Sequence, residues 1–353
     1  MTTITAGMVK ELREKTGAGM MDCKTALTAT HGDLEAAIDW LRTKGLSKAA
    51  KKSDRVAAQG LIGVAAAVKS GAVVEVNSET DFVARNSQFQ EMVQKIATQA
   101  LAAKGDLAKL LASKYPGTAI SVDTQVKEAI ATIGENMGVR RAASLSVREG
   151  VVADYVHNKA ADGLGKIGVL VAVESAGDSD TLMAFGRQVA MHIAAKSPVA
   201  LDLAGVPADI LAREKAIVIE KNAGKPAHVL EKIAESSMKT YAKDSCLLDQ
   251  SFVMDETKSV TQAAKEVEKA AGAPIKITGF LRFALGEGIE KKHEDFAAEV
   301  AKTVGAAAHA KPAEPAKPAV ETAKPAVAMP KAESKDAPAS KPGSASKPPS
   351  KKK

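Results

Sequence analysis

A short tract from Ala72 to Asn86 changes from strand-forming to turn-forming residues, and this change constrains how the chain can fold around it. The first part, A-V-V-E-V, is rich in β-branched residues and predicts a half-buried strand. The next part, N-S-E-T-D, consists almost entirely of turn and cap formers. The strand should therefore end here and deliver Phe82 to a loop or to the first turn of a helix.

The side chain of Phe82 has two alternative places in such a turn. Phenylalanine is generally buried in folded proteins, which predicts that Phe82 packs into its own core. The polar residues around it instead favour a ring that is presented at the surface. The residues alone leave both alternatives open.

The first 46 residues predict three short helices. Polar caps and glycines give their limits, which are Thr5 to Gly17, Met20 or Met21 to Thr30, and Asp33 to Gly45. In the third helix, apolar residues fall at i, i+3, i+4 and i+7, which is the spacing of one helix face. Three short helices of this kind predict a compact bundle, typical of a small partner-binding module.

The next segment predicts a β-hairpin followed by a helix. Two apolar runs, Leu61 to Val68 and Val73 to Asn77, flank a turn that contains glycine. Ser87 and Gln90 have the spacing of a capping box for a helix that carries Phe89 on its apolar face. The segment should therefore form a hairpin covered by one helix.

The rest of the chain predicts more helices and strands. A helix is expected over 122–139, and the hairpin-plus-helix plan recurs weakly over 151–197. Two helices within 207–244 carry apolar stripes and should pack antiparallel. A strand is expected over 275–285 and a terminal helix over 291–304. The plan suggests two related half-cores.

Two tracts resemble the bacterial elongation factor Ts family, whose members are nucleotide exchange factors for EF-Tu. They are T-G-A-G-M-M-D-C-K at Thr16 to Lys24 and T-D-F-V-A-R-N at Thr80 to Asn86. A weaker match is I-G-E-N-M-G-V-R-R at Ile133 to Arg141, and the resemblance extends over about residues 1–304. It implies an α+β fold with a ubiquitin-associated-like bundle, two related antiparallel-sheet-plus-helix half-cores and a protruding coiled-coil hairpin.

The resemblance also implies a set of site residues. Four would displace Mg²⁺ from the partner: Thr80, Asp81, Phe82 and Val83. Five would contact EF-Tu: Met20, Met21, Lys24, Gly134 and His157. Ordinary structural roles are the alternatives for the second group: core filling for the methionines, a solvated lysine, a helix-end glycine and a satisfied histidine.

The predicted domain organisation follows from these elements and the resemblance. The expected segments are a helical bundle at 1–46, a basic linker at 47–56, an N-terminal half-core at 57–145, a C-terminal half-core at 146–304 that includes the coiled-coil hairpin at 207–244, and a disordered tail at 305–353.

The basic charge of the protein is concentrated in the tail. Residues 303–353 contain ten Lys and four acidic residues, so six of the seven net positive charges lie there. The remaining net charge of +1 is no footprint for binding phosphates. Nine of the 14 prolines also lie in the tail, which predicts disorder and weak, nonspecific attraction to RNA or ribosomes.

Several other classes of protein are disfavoured by the sequence. Cys23 and Cys246 lie far apart, which predicts neither a disulfide framework nor a zinc site. The N-terminus has no secretory pattern and no run is long enough for a membrane helix, so a cytoplasmic location is expected.

Enzyme motifs fit the sequence poorly. The tract G-L-G-K-I-G at Gly163 to Gly168 has dinucleotide-motif spacing but precedes a strand, so a hairpin turn is expected instead. Neither a cofactor nor bound nucleotide is predicted, and an enzyme is not expected. The alternative to an exchange factor is a scaffold or chaperone-like binding protein for a helical partner.

Overall fold

The computed structural model describes residues 3–289, except the side chains of residues 46 and 47. The helices are α1 Ala6–Thr16, α2 Met20–Ala29, α3 Leu34–Ala50, α4 Asp81–Ala84, α5 Ser87–Ala102, α6 Leu107–Ala112, α7 Val122–Ile133, α8 Ser179–Lys196, α9 Ala208–Lys221, α10 Ala227–Ser245 and α11 Val260–Ala271. The strands are β1 Gln59–Ala67, β2 Ser70–Ser78, β3 Met137–Ser146, β4 Gly150–His157, β5 Leu164–Gly165, β6 Ile167–Glu174, β7 Ser251–Phe252, β8 Asp255–Ser259 and β9 Lys276–Ala284.

The first three helices form the predicted bundle. Thr5 caps α1, and Gly17 ends it in the left-handed conformation with a φ of 66°. Leu12, Leu27 and neighbouring small residues fill the core of the bundle. The caps and the apolar spacing therefore predicted both ends of α1 and α2 and the start of α3 correctly.

The third helix is longer than predicted. Gly45 does not end α3, which continues through Gly45 to Ala50, so the predicted linker begins as helix. The reason is packing against α7, where a Cβ on Gly45 would lie 3.0 Å from the Cβ of Ala131. Arg42 and Glu128 add an ion pair of 2.8 Å between the two helices. Close packing therefore offsets the low helix propensity of glycine.

The predicted hairpin is confirmed as β1 and β2, which pair antiparallel along their whole length. Their sheet has the order β3-β2-β1-β5. One face of it packs on α5 through the buried side chains of Phe89, Val93 and Ile96. β2 is buried on both faces, and the prediction of a half-buried strand is therefore wrong.

The cap of α5 also differs from the predicted one. The Asn86 side chain accepts hydrogen bonds from the N–H groups of Gln88 at 2.8 Å and Phe89 at 3.2 Å. The Gln90 side chain donates to the carbonyl of Ala84 at 2.9 Å. The predicted capping box of Ser87 and Gln90 is therefore wrong, because the residue before Ser87 fills the cap position.

Replacing Asn86 with alanine should lower the free energy of unfolding by about 1 kcal/mol, because two N–H groups of α5 lose their acceptor. Urea unfolding of the two proteins measures this difference. Ser87→Ala is the matched control and should change stability by less than about 0.5 kcal/mol. A larger effect at Ser87 than at Asn86 would contradict the observed cap.

The helix predicted over 122–139 is correct only for its first two-thirds. α7 ends at Ile133, and Gly134 follows with a φ of 93°. Met137 begins β3, which pairs antiparallel with β2. The sequence favoured a continued helix, whereas pairing with a distant strand determines the structure after Gly134.

The second half repeats the hairpin-plus-helix plan. β4 and β6 pair antiparallel, and α8 covers them with Phe185 and Val189 buried against this second sheet. The predicted returning strand is β9, which adds to β6. The tract between β4 and β6 includes β5, which pairs with β1 of the first sheet. The hairpin turn predicted at Gly163 to Gly168 is therefore part of a longer connection between β4 and β6.

The two sheets pack face to face. Their contact consists of apolar residues from both hairpins, including Ile62, Val152 and Leu170. A Cβ at Gly168 would lie only 2.6 Å from the Ile62 Cγ2, so glycine permits this close approach. The core consequently has four layers, namely helices, the first sheet, the second sheet and helices.

A buried carboxylate lies in the first sheet. Glu75 is fully buried and accepts hydrogen bonds from Arg140 at 3.1 Å, Arg141 at 2.6 Å, Asn77 at 3.1 Å and the Gly286 N–H at 2.8 Å. Burial alone would raise the pKa of Glu75, but these hydrogen bonds and the charge of Arg141 hold the pKa below its ordinary value. Glu75 is therefore ionised and joins β2 and β3 to the chain after β9.

The two helices α9 and α10 form a helical hairpin, as predicted. The sequence did not predict the small β7–β8 hairpin or α11, which pack against α8. The terminal helix predicted over 291–304 and the tail at 305–353 lie outside the described residues. Within residues 3–289, every helix is too short or too polar to cross a membrane. Both cysteine thiols are buried, and burial raises the pKa of each.

Candidate functional site

The turn that carries Phe82 begins at Thr80. Thr80 has extended backbone angles, φ −120° and ψ 161°, and directly precedes α4. The single turn of α4 ends where the N–H groups of Arg85 and Asn86 donate to the carbonyls of Phe82 and Val83 at 3.1 and 2.9 Å. The polar residues in this tract therefore form a tight turn, as the sequence predicted.

Phe82 is presented to solvent. Its side chain is 75% exposed, the largest value among the large apolar side chains that the structure describes. The next two residues, Val83 and Ala84, are each only 5% exposed and belong to the apolar core between the first sheet and α5, which we call the first core. The turn is thus anchored on one side while the aromatic ring faces outward. A fixed, exposed aromatic ring is a typical anchor for a partner protein.

The turn is held by residues from the loop after α7. The Thr80 N–H and hydroxyl donate to the two carboxylate oxygens of Glu135, at 2.9 and 2.6 Å. In return, the N–H of Asn136 donates to a carboxylate oxygen of Glu79 at 2.5 Å. We call these four residues, Glu79, Thr80, Glu135 and Asn136, the clasp. Glu79 and Thr80 together contribute one carboxylate and one backbone N–H to the clasp, and so do Glu135 and Asn136.

The clasp is also attached to the segment that follows α3. Lys52 donates to the carbonyl of Gly134, and the Asn136 side chain donates to the carbonyl of Arg55 at 2.7 Å. The Arg55 guanidinium lies 3.5 Å from the Glu79 carboxylate. The loop of residues 134–136 therefore links the Phe82 turn to the segment that follows the helical bundle.

The predicted contact residues of the bundle lie at the start of α2. Met20 and Met21 are 61% and 71% exposed, because Cys23 and Leu27 on the opposite side of α2 fill the bundle core. Lys24 is also exposed. Of the two alternatives for the methionines, the structure therefore favours surface positions over core filling.

The structure assigns Gly134 and His157 to different surroundings. Gly134 ends α7, as the helix-end alternative proposed, and its carbonyl accepts from Lys52 beside the clasp. His157 is exposed at the end of β4, where its Nδ1 lies 3.2 Å from the Tyr155 hydroxyl. Within the described part of the chain, no hydrogen bond or ion pair connects His157 to the Phe82 turn.

The exposed face of the turn combines an apolar ring with charged neighbours. The Asp81 carboxylate lies 3.2 Å from the Arg85 guanidinium, and the Arg85 side chain is largely exposed while that of Asp81 is half-exposed. Exposed pairs of this kind stabilise a turn only slightly, so Asp81 remains available to a partner. Residues 3–289 contain no group of three or more acidic, His or Cys side chains arranged to hold a metal ion. The site is suited to contact with a protein.

Three residues of the clasp were not predicted from the sequence, namely Glu79, Glu135 and Asn136. Glu135 and Asn136 stand directly after Gly134 in a tract already identified by resemblance, and that position was the available signal. Their partners lie 55 and 57 residues earlier in the chain, at Thr80 and Glu79. Local sequence patterns do not show such pairings.

Comparison with known proteins shows the family of this chain. A family model described as "Elongation factor TS" matches residues 79–287, which begin at the clasp. The curated elongation factor Ts of Xanthobacter autotrophicus is 59% identical over 305 residues, which are 86% of this chain and 99% of the relative. The chain belongs to the elongation factor Ts family. It is therefore a translation elongation factor.

Two further family members show similar agreement. The elongation factor Ts of a Methylobacterium species is 58% identical over 305 residues, covering 86% of this chain and 99% of the relative. The elongation factor Ts of Nitrobacter hamburgensis is 58% identical over 307 residues, again with 86% and 99% coverage. The resemblance inferred from the two short tracts is thus confirmed over most of the chain.

Proposed function

We propose that this member of the elongation factor Ts family is a guanine-nucleotide exchange factor that binds EF-Tu in its GDP-bound and nucleotide-free forms. The observation that carries the proposal is the Phe82 ring, which is 75% exposed on a turn anchored by buried neighbours. A ring held in this way can enter a cleft of a partner without first being ordered, which reduces the entropic penalty of binding.

The proposed mechanism uses binding energy and changes no covalent bond. A GTPase holds its nucleotide largely through Mg²⁺ and backbone donors around the phosphates. Phe82 inserts into EF-Tu with Asp81 beside it, while Thr80 and the buried Val83 hold the turn in place, so that the elements holding Mg²⁺ move and GDP leaves. By thermodynamic reciprocity, the protein weakens GDP binding by the same factor by which GDP weakens binding of the protein.

The remaining predicted contacts hold the body of the protein on EF-Tu. Exposed methionines adapt well to a partner surface, and this supports Met20 and Met21 as anchors with Lys24 beside them. Gly134 and His157 complete the proposed contact set. The proposed contact surface for EF-Tu then extends from the bundle through the Phe82 turn to the end of β4.

The domain boundaries remain part of the proposal. We assign 1–46 as a ubiquitin-associated-like bundle, and the hairpin within 207–244 as a coiled coil that extends the binding surface. A protein with this role works in the cytoplasm with the translation machinery. The basic tail at 305–353 then adds weak, nonspecific attraction to RNA or ribosomes.

Release of fluorescent GDP from purified EF-Tu tests the proposed function. The chain should accelerate release many-fold and in proportion to its concentration until EF-Tu is saturated. A scaffold or chaperone-like protein would bind EF-Tu and leave the release rate unchanged. That result would replace exchange with the scaffold alternative.

Substitution of the methionines tests the proposed anchoring surface. Met20→Ala combined with Met21→Ala should weaken binding to nucleotide-free EF-Tu about tenfold or more, because two exposed apolar contacts are lost. Calorimetry measures the affinity. The matched control is Met254→Ala, which removes another exposed methionine, in the turn between β7 and β8. Equal weakening by the control would contradict a specific role for the α2 surface.

A further inference from the structure

The turn that carries Phe82 is too short to fix its own orientation. α4 has four residues, and a single helical turn is unstable in isolation because its nucleation is unfavourable. The Thr80 side chain makes no capping bond to α4. The orientation of the ring must therefore be set by contacts with the rest of the protein.

Those contacts act on both ends of the turn. At the C-terminal end, Val83 and Ala84 are buried in the first core, and Gln90 donates to the Ala84 carbonyl. At the N-terminal end, the Glu135 carboxylate accepts hydrogen bonds from both the N–H and the hydroxyl of Thr80. A carboxylate that accepts two bonds from one residue fixes direction as well as distance, and such charge-assisted bonds are stronger than neutral ones.

Glu135 is itself held in place. It follows Gly134, which ends α7 and accepts from Lys52 through its carbonyl. It precedes Asn136, whose N–H donates to Glu79 on the same strand-to-turn tract as Thr80. The backbone on both sides of Glu135 is thus held by hydrogen bonds, one from Lys52 and one to Glu79. These bonds fix the position from which the carboxylate reaches Thr80.

We propose that Glu135 is a positioning residue for nucleotide exchange, through which the clasp sets the orientation of the Phe82 ring. The inference rests on the proposed function. Without Glu135, the turn stays attached through Val83 and Ala84 and through the bond from the Ser78 hydroxyl to the Thr80 carbonyl, but the N–H and hydroxyl of Thr80 lose their acceptor. The ring then samples other orientations, while the predicted contacts at Met20 and Met21 remain. The defect should therefore appear in the release rate at saturation and much less in affinity.

The rate of GDP release should depend on the length of the side chain at position 135 as well as on its charge. Glu135→Ala removes both bonds to Thr80 and should lower the rate of GDP release at saturating protein about tenfold, the factor expected for losing a charge-assisted hydrogen bond. Glu135→Asp keeps the charge but is too short to reach both donors, and should resemble Glu135→Ala. Glu135→Gln keeps one acceptor oxygen and should fall between Glu135→Ala and the native protein.

The experiment measures GDP release from EF-Tu across a concentration series of each full-length variant. The concentration that gives half-maximal release should change less than about threefold for Glu135→Ala, in contrast to the rate at saturation. The matched control is Asp123→Asn, on the same α7 helix, whose carboxylate pairs with Lys127 on the helix surface. It should match the native protein in both quantities.

Two further measurements separate positioning from loss of folding. The Thr80 N–H should exchange with solvent about tenfold faster in free Glu135→Ala than in the native protein, while the variant still unfolds cooperatively and well above the assay temperature. Thr80→Val removes only the hydroxyl, and its effect on the rate should not add to that of Glu135→Ala, because both substitutions break the same contact.

The outcomes distinguish this inference from the proposed function. If the native chain fails to accelerate GDP release, the proposed function and the inference both fail. If the native chain accelerates release and Glu135→Ala does so equally, only the inference fails. A Glu135→Asp protein with native activity would likewise overturn positioning, because charge alone would then be sufficient.

Discussion

Replacing Phe82 with alanine is expected to abolish most of the acceleration of GDP release from EF-Tu. Truncation of an aromatic anchor at the centre of an interface typically costs about 2–4 kcal/mol, which corresponds to a fall of about 30- to several-hundred-fold in the apparent second-order rate of release. The exposed position of the ring in the free protein means that the loss is one of binding and not of folding.

The folded protein should tolerate this change. Because Phe82 is 75% exposed, Phe82→Ala should alter the free energy of unfolding by less than about 0.5 kcal/mol. The matched control is Val68→Ala, at the opposite end of the β1–β2 hairpin, where Val68 is 56% exposed. Native rates for Phe82→Ala, or an equal loss for Val68→Ala, would contradict the role of the ring.

Replacing Glu75 with glutamine is expected to have the largest effect on stability. Removing one partner of a buried ion pair typically costs about 3–5 kcal/mol, and glutamine keeps only one acceptor oxygen for the four donors around Glu75. Denaturant unfolding at neutral pH measures the difference. Glu91→Gln is the control, since Glu91 forms an exposed pair with Lys95 and should have an effect below about 1 kcal/mol.

The stability difference between native protein and Glu75→Gln should depend on pH. The pKa of Glu75 is lowered in the folded state, so the unfolded chain binds the proton more readily. The stabilisation from Glu75 is complete above its unfolded pKa, about 4.3, and is lost as the pH falls through the lower, folded value. The two proteins should therefore converge in acid. A difference that grows below about pH 4 would contradict this assignment.

Features encoded by neighbouring residues were predicted well from the sequence. Thr5 and Gly17 mark the first helix because a side-chain acceptor and a left-handed glycine satisfy the backbone within one turn. The alternating valines of β2 and the polar residues after them predicted the strand and the Phe82 turn. The resemblance then favoured exposure of the ring, and the structure agrees with it.

The failures came from contacts between distant segments. Gly45 resembles a helix end, but its lack of a side chain allows α3 to approach Ala131 of α7, and the helix continues. Met137 and its neighbours resemble helix, but β2 offers them a partner. The clasp was missed for the same reason, since Glu135 is explained only by the distant N–H of Thr80.

The buried carboxylate has a consequence for how the protein is made. Glu75 receives one hydrogen bond from the Gly286 N–H, 211 residues later in the chain. At a synthesis rate of about 5–20 residues per second, Glu75 exists for about 10–40 s before that donor has been added. The first sheet likewise waits for β5. The N-terminal half of the nascent chain thus lacks some of its native contacts on the ribosome until nearly all of the described residues have been translated.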